Sequence, residues 1–226
     1  MPADQHLSRI GGVAAIVGVV LLVAATLLHP LDAHPGDAPA AFAEYALDRF
    51  WVASHLGQLL GIVLIATALV ALSWRLRAGR GGAWALLAGL AATATVSLAG
   101  ALQAVDGIAL KFMVDRWSAA SADLRPLVFE AAWGVRQVEI GLASMMGAFF
   151  GLTVLLYGIA ILLGSGVRAW IGVFGVLAGS AALASSIVQA HTGFSDIAMT
   201  TGMPSTLLVL LWTLCIGISL LASIRR

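Results

Sequence analysis

Residues 10–28 read IGGVAAIVGVVLLVAATLL, a run of nineteen residues without a charged side chain. A helix needs about 20 apolar residues to cross the roughly 30 Å hydrocarbon core of a bilayer. The run is long for the apolar region of a signal peptide, and the His29-Pro30 that follows it is no small-residue cleavage site. It therefore predicts a retained membrane-spanning helix.

Five further apolar segments of spanning length follow the first one. The six predicted spans are residues 10–28, 51–74, 83–105, 140–163, 169–190 and 205–223. The 226-residue chain is 61% hydrophobic and only 10% charged, whereas about 25% of the residues of a typical soluble domain are charged. The sequence therefore predicts an all-α integral membrane protein, a six-helix bundle that forms a single transmembrane domain over residues 1–226.

The arginines of the short loops predict how the bundle is oriented, because positively charged loops stay on the cytoplasmic side. Six spans place both termini on one side, which carries Arg9, Arg75, Arg77, Arg80, Arg168, Arg225 and Arg226. Asp4 is the one acidic residue of the chain expected on that side. We therefore expect cytoplasmic N and C termini. The abundance of alanine, glycine and arginine is typical of a GC-rich bacterium, which favours a multi-pass protein of the bacterial inner (cytoplasmic) membrane.

Two connections on the outer side are long enough to contain structure. In the first, Asp37 is a suitable N-cap and Pro39 suits a first helical turn. Residues at helical spacing then continue to Phe50, which predicts a short amphipathic helix lying at the membrane interface. In the second, the third helix is expected to run to about Ala119 and the fourth to begin near Asp123, as a helical hairpin.

Polar residues recur near the outer ends of five predicted spans. They are His29, His55, Gln58, Gln103, Asp106, Arg136, Gln137, Glu139, Gln189 and His191. Ionisable groups at that depth are costly unless they are paired or face a wet cavity, so they are candidates for function. Trp51, His55 and Gln58 are four and three residues apart, which places them on one face of a helix. We therefore predict a shared histidine and carboxylate pocket that faces outward, beneath the 30–50 loop.

The pocket suggests a ligand of one of three kinds. Imidazole and carboxylate groups suit a divalent metal ion, and the predicted ligands are His29, His55, His191 and Asp196, with Asp196 orienting His191. Haem is a variant of this idea, with His55 and His191 as axial ligands. A small apolar ligand would instead contact the predicted binding residues, which are Trp51, Gln58, Gln103, Trp133, Gln137 and Gln189.

Two alternatives remain open beside ligand binding. A metal-free enzyme could use Asp106, Arg136 and Glu139 for acid and base catalysis on a lipid-soluble substrate. A non-enzymatic scaffold or sensor subunit would need these residues only to pair with one another. The expected partners are the bilayer and a lipid-soluble molecule, without an indication of oligomeric state. No glycine cluster precedes the lysine and hydroxyl of a phosphate-binding loop, and we expect no nucleic-acid partner.

Three short motifs carry a family resemblance. They are Arg9-Ile10-Gly11-Gly12, Trp51-Val52-Ala53-Ser54-His55 and Asp106-Gly107. Over roughly the first 160 residues the chain resembles a loose group of small, uncharacterised multi-span bacterial membrane proteins. The resemblance implies the multi-span topology and no known activity.

Overall fold

The computed structural model describes residues 3–30 and 32–223, which form eight α-helices and one π-helical segment. The helices are α1 (Ala3–Leu27), α2 (Ala38–Leu47), α3 (Trp51–Leu76), α4 (Gly82–Gln103), α5 (Lys111–Ser118), α6 (Arg125–Leu163), α7 (Ala169–Thr192) and α8 (Asp196–Ala222). The π-helical segment, Ala104–Leu110, joins α4 to α5. The predicted all-α fold is confirmed. Arg225 and Arg226, used above to predict the orientation, lie outside the described residues.

Six helical segments of the described chain are long and apolar enough to cross a membrane. They are α1 from Asp4, α3, α4 continued through α5, α6, α7 and α8. The predicted number of spans is therefore confirmed. The last helix begins earlier than predicted, before Pro204 rather than after it, because Ser195 acts as its N-cap. The Ser195 hydroxyl accepts a hydrogen bond from the Ala198 N–H at 3.3 Å.

Glycines bring the helix backbones close together. A Cβ atom built on Gly158 of α6 would lie 2.8 Å from the Gly172 carbonyl oxygen of α7. A Cβ atom on Gly12 of α1 would lie 2.9 Å from the Gly217 carbonyl oxygen of α8. Small residues of this kind let helices pack closely in lipid, where van der Waals contact drives their association.

The helix predicted in the first long loop is present as α2. The Asp37 carboxylate caps it by accepting a hydrogen bond from the Ala40 N–H at 3.3 Å. Phe42 and Tyr45 are buried, in one cluster with Val114 of α5. The aromatic face of α2 is therefore covered by protein. The second long connection also agrees with the prediction, since α5 ends at Ser118 and α6 begins at Arg125.

We name the two ends of the bundle by their residues. The site end is the end where α1 finishes at Leu27 and α3 begins at Trp51, and α2 covers it. The arginine end is the end where α3 finishes at Leu76 and where Arg168 precedes α7.

Candidate functional site

The π-helical segment places two residues of the site against α3. A π turn widens the helix by one residue and often occurs at functional positions. Trp51 Nε1 donates a hydrogen bond to the Asp106 carbonyl oxygen at 3.0 Å. A Cβ atom built on Gly107 would lie 2.6 Å from His55 Cβ, so any larger residue would push α3 away. Glycine at position 107 is what permits the close approach of His55 and Asp106.

His55 and Asp106 form a hydrogen-bonded pair, in which the histidine is buried and the Asp106 side chain is partly exposed. His55 Nε2 lies 3.0 Å from Asp106 Oδ2, and His55 Nδ1 lies 2.7 Å from the Trp51 carbonyl oxygen. The histidine is 1% exposed. A carbonyl oxygen can only accept, so Nδ1 carries a proton, and a second proton lies between Nε2 and Oδ2. The pair is therefore an acid and a base joined by one proton.

Aromatic rings surround this pair. The His29 ring lies 4.5 Å from the Trp51 ring and 5.2 Å from the His55 ring, measured between centroids. Tyr45 contacts Trp51 from α2, at 4.3 Å between centroids. Burial lowers the pKa of His29 and outweighs the hydrogen bond to the Pro30 carbonyl, which raises it. Burial also raises the pKa of Tyr45, so both rings favour their uncharged forms.

Arg136 of α6 ties the loop before α2, and α2 itself, to the bundle. Its Nη1 donates to the two Glu139 carboxylate oxygens at 3.2 and 3.0 Å. Its Nη2 donates to the Pro35 carbonyl oxygen at 3.0 Å and to the Tyr45 hydroxyl at 3.2 Å. Arg136 is 2% and Glu139 is 3% exposed. A buried ion pair with these additional hydrogen bonds holds the cover of the site in place.

A cavity of about 410 Å³ lies among the six spans, each of which contributes to its wall. Its polar lining residues are Thr26, Gln58, Thr95, Gln103, Asp106, Ser185, Ser186, Gln189, Ser205 and Thr206. Much of the remaining wall is apolar, including Met146, Phe150 and Leu210. The cavity therefore combines an apolar chamber with polar groups at its wall.

Two lining residues carry buried oxygens without a hydrogen-bond partner. These atoms are Asp106 Oδ1 and Gln103 Oε1. The amide of Gln103 donates to Gln58 Oε1 at 3.3 Å, and the amide of Gln58 donates to the Thr26 hydroxyl at 3.4 Å. Buried polar groups are normally paired, so two acceptors without donors indicate that a water or a ligand supplies the hydrogens.

Hydroxyl groups of the lining add to this excess of acceptors. Four of them donate their hydrogen to a carbonyl oxygen of their own helix, and these belong to Thr26, Thr95, Ser186 and Ser205. A hydroxyl that has donated its hydrogen can still accept one from a ligand. The cavity wall therefore favours a molecule whose polar group donates hydrogen bonds.

The structure separates the six predicted ligand-binding residues into two groups. Gln58, Gln103 and Gln189 line the cavity. Trp51 does not line it, and is buried against Tyr45 and the His55–Asp106 pair. Trp133 lines a shallow groove beside the start of α2, and Gln137 is exposed. These three residues are not brought to the cavity.

The three predicted catalytic residues are also divided. Asp106 lines the cavity. Arg136 and Glu139 do not line it and are paired with each other. Their position favours a structural role, which fixes α2 over the site.

The four predicted metal ligands do not form one cluster. Among residues 3–30 and 32–223, no group of three or more histidine, cysteine or acidic residues is arranged to hold a metal ion. Asp196 Oδ1 lies 3.1 Å from His34 Nε2, on an exposed surface, rather than orienting His191. His191 is exposed, and only His29 and His55 lie next to each other, with their rings tilted by 54°. Both ring nitrogens of His55 are already bonded, which also argues against His55 as a haem ligand.

Several residues of the site were not found from the sequence. Pro35 and Tyr45 hold Arg136, and Thr26, Ser186 and Ser205 line the cavity. Serine and threonine are common within apolar spans, where their hydroxyls can bond to a carbonyl oxygen of the same helix. Their presence in the sequence therefore does not indicate a binding site. Asp106-Gly107 was recognised as a short motif in the sequence. The reason for a glycine at position 107 is its contact with His55, which only the structure shows.

Comparison of the chain with family models, with curated proteins and with solved structures finds no match.

Proposed function

We propose that this membrane protein binds a lipid-soluble small molecule in the cavity among its spans, with the polar group of the ligand at Asp106. The observation that carries the proposal is the Asp106 carboxylate, which lines a cavity of about 410 Å³ and has one buried oxygen without a partner. Small-molecule pockets typically measure about 300–1,000 Å³ and are mostly apolar with a few polar groups. The cavity has this size and composition.

The arrangement of acceptors narrows the class of ligand. The polar group of the ligand donates hydrogen bonds, as an alcohol, phenol or amine does, because Asp106 and Gln103 both offer acceptors. The rest of the ligand is apolar and contacts residues such as Met146 and Phe150. A metal ion or haem is the less supported occupant, because no three possible ligands of the described residues are grouped and both ring nitrogens of His55 are bonded.

The proposal includes an orientation. The site end faces outward, the two termini lie in the cytoplasm of a bacterium, and α2 rests at the outer interface of the inner membrane. The short loops support this orientation, because the arginine end carries Arg75, Arg77, Arg80 and Arg168.

The binding proposal is tested with two matched probes, 1-decanol and decane. The full chain is reconstituted in nanodiscs, and its thermal stability is measured at increasing probe concentration, since a ligand of the folded state raises the melting temperature. We expect decanol to stabilise the protein more than decane does. Equal effects of the two probes, or no effect of either, would contradict the proposal and would favour a scaffold without a ligand.

Two variants locate the binding of the probe. Asp106→Leu removes the carboxylate that accepts hydrogen bonds. Ala143→Phe fills part of the cavity with a larger side chain and keeps the Asp106 carboxylate. Both are expected to remove the advantage of decanol over decane. Asp115→Asn is the control, because Asp115 pairs with Lys111 outside the cavity. Retention of the decanol effect in both cavity variants would place the probe elsewhere.

A second function is supported by the shared proton of His55 and Asp106. A pair with a proton between Nε2 and Oδ2 can deliver or remove a proton at a bound molecule. The protein would then be a metal-free acid and base enzyme that acts on the molecule in the cavity. Incubation with a lipid extract, followed by mass spectrometry, tests for turnover. Asp106→Asn keeps the shape of the side chain and should abolish turnover, whereas unchanged products would exclude this role.

A further inference from the structure

A second cavity lies at the arginine end, opposite the site end of the bundle. It measures about 320 Å³ and is bounded by the end of α3, the α6–α7 loop, the start of α7 and the end of α8. Its lining residues are Arg75, Gly166, Arg168, Trp170, Ile171, Cys215, Ile218, Ser219, Ala222 and Ser223. None of the described lining residues is acidic.

Two arginines form the charged part of this crevice. The Arg75 guanidinium donates through Nε and Nη2 to the Gly166 carbonyl oxygen, at 3.2 and 2.6 Å. Gly166 has a φ of +90°, a backbone conformation that glycine adopts readily. The Arg168 side chain is exposed and lines the same crevice. The loop thus accepts hydrogen bonds from one guanidinium, and the arginine that follows the loop lines the same crevice.

Much of the remaining wall of the crevice is apolar, with Ser219 and Ser223 as its polar residues. Ile171 of α7 faces Cys215 and Ile218 of α8 across the same cavity. Trp170 is 53% exposed and stands directly after Arg168 and Ala169. Tryptophan is enriched where a span meets the membrane surface, since its ring is apolar and its N–H is polar. The crevice therefore has a cationic part and an apolar part next to an interfacial aromatic residue.

We propose that this crevice binds an anionic phospholipid, with the phosphate at Arg168 and Arg75 and an acyl chain along Ile171 and Ile218. Arginine suits a phosphate because its planar guanidinium can donate two parallel hydrogen bonds. A free phosphate ion would use the arginines but leave the apolar wall uncovered, so a lipid is the occupant that matches both parts. The proposal is independent of the ligand of the central cavity.

Native mass spectrometry of the full chain in detergent tests the proposal, with a phosphatidylglycerol as the anionic probe and a phosphatidylcholine of the same acyl chains as its match. We expect preferential retention of phosphatidylglycerol. Arg168→Gln should weaken that retention about five- to tenfold, the effect of one arginine at a lipid surface. The control is Arg80→Gln, which removes an exposed arginine of the α3–α4 loop outside the crevice and should leave retention unchanged.

A further variant and a competitor separate the lipid from a general attraction of anions. Cys215→Phe fills the apolar part while keeping both arginines, and it should also weaken phosphatidylglycerol retention. An equal loss in the Arg168 and Arg80 variants would overturn the proposal in favour of diffuse charge attraction. Equal retention of the two lipids, or their displacement by millimolar inorganic phosphate, would overturn it as well.

Discussion

At the site end, buried ionisable side chains from several elements bond to one another, whereas towards the arginine end the helices meet through glycine backbones. Arg136 of α6 reaches Glu139 and the loop before α2, and His55 of α3 reaches Asp106. Gly158 of α6, in contrast, lies against Gly172 of α7. Where Gly158 and Gly172 meet, the backbones of α6 and α7 lie in close contact. The polar contacts at the site end instead lie beside a cavity of about 410 Å³, which Asp106 lines. Steric fit therefore governs the first region, whereas hydrogen bonding and charge govern the second.

The largest expected effect comes from removing one partner of the buried ion pair. Arg136→Met leaves Glu139 as a buried charge and releases the Pro35 carbonyl and the Tyr45 hydroxyl. We expect the free energy of unfolding to fall by roughly 3–5 kcal/mol. Equilibrium unfolding of the reconstituted protein measures the loss.

The matched control is the double variant Arg136→Met with Glu139→Met, which removes both charges. It should recover most of the stability, since replacing a whole buried pair by apolar residues is often nearly neutral. A double variant as unstable as the single one would show that the contacts of Arg136 to the loop and α2, rather than its charge, matter most.

The glycine contacts should come next in size. Gly158→Ala would place a Cβ atom 2.6 Å from the Val176 backbone nitrogen, which forces α6 and α7 apart. We expect a loss of about 1–3 kcal/mol, the usual cost of overpacking. Gly141→Ala in the same helix is the control, because nothing lies within 4 Å of its added Cβ atom. Equal stability of the two variants would contradict the close approach of α6 and α7.

Gly107→Ala tests the site end by the same steric principle, with a smaller cost in stability and a clear effect on binding. Its Cβ atom would meet His55 Cβ at 2.6 Å. We expect a loss of about 1–2 kcal/mol and a reduced preference for decanol over decane. Gly100→Ala in α4, with open space around the added atom, should leave both unchanged. Normal probe binding in the Gly107 variant would show that the close contact of the π-helical segment with His55 is not needed for ligand binding.

The smallest effect concerns pH. Because burial lowers the pKa of His29, the unfolded chain binds that proton more readily than the folded chain does. Its contribution to stability is therefore complete above the ordinary histidine pKa of about 6.5 and declines as the pH falls below it. As the pH is lowered below this value, the melting temperature of His29→Gln should fall less steeply than that of the wild type. His6→Gln, which changes an exposed histidine, should match the wild type, and parallel curves for all three would refute this assignment.

Much of the fold could be predicted from the sequence because apolar length is a local property. The first span, the helix capped by Asp37 and the hairpin between Ser118 and Arg125 all follow from short stretches of residues. The last span was predicted to begin at residue 205, but α8 begins at Asp196, since the Ser195 N-cap stabilises the helical turns that precede Pro204. The site was predicted in part, because the depth of a polar residue can be counted along a helix but the direction in which it points depends on packing.

The sequence by itself determined six apolar spans and the clustering of histidine, glutamine and acidic residues towards one end of them. Only the tertiary structure decided which of these residues meet. It joined His55 to Asp106 through a π-helical segment, set Arg136 against Pro35 and Tyr45, and placed Asp196 beside His34 rather than His191. The physical reason is that the hydrophobic length of a span depends on composition alone. The partner of a buried polar group depends on helix rotation and on close contacts, such as Gly107 against His55, that involve residues distant in the chain.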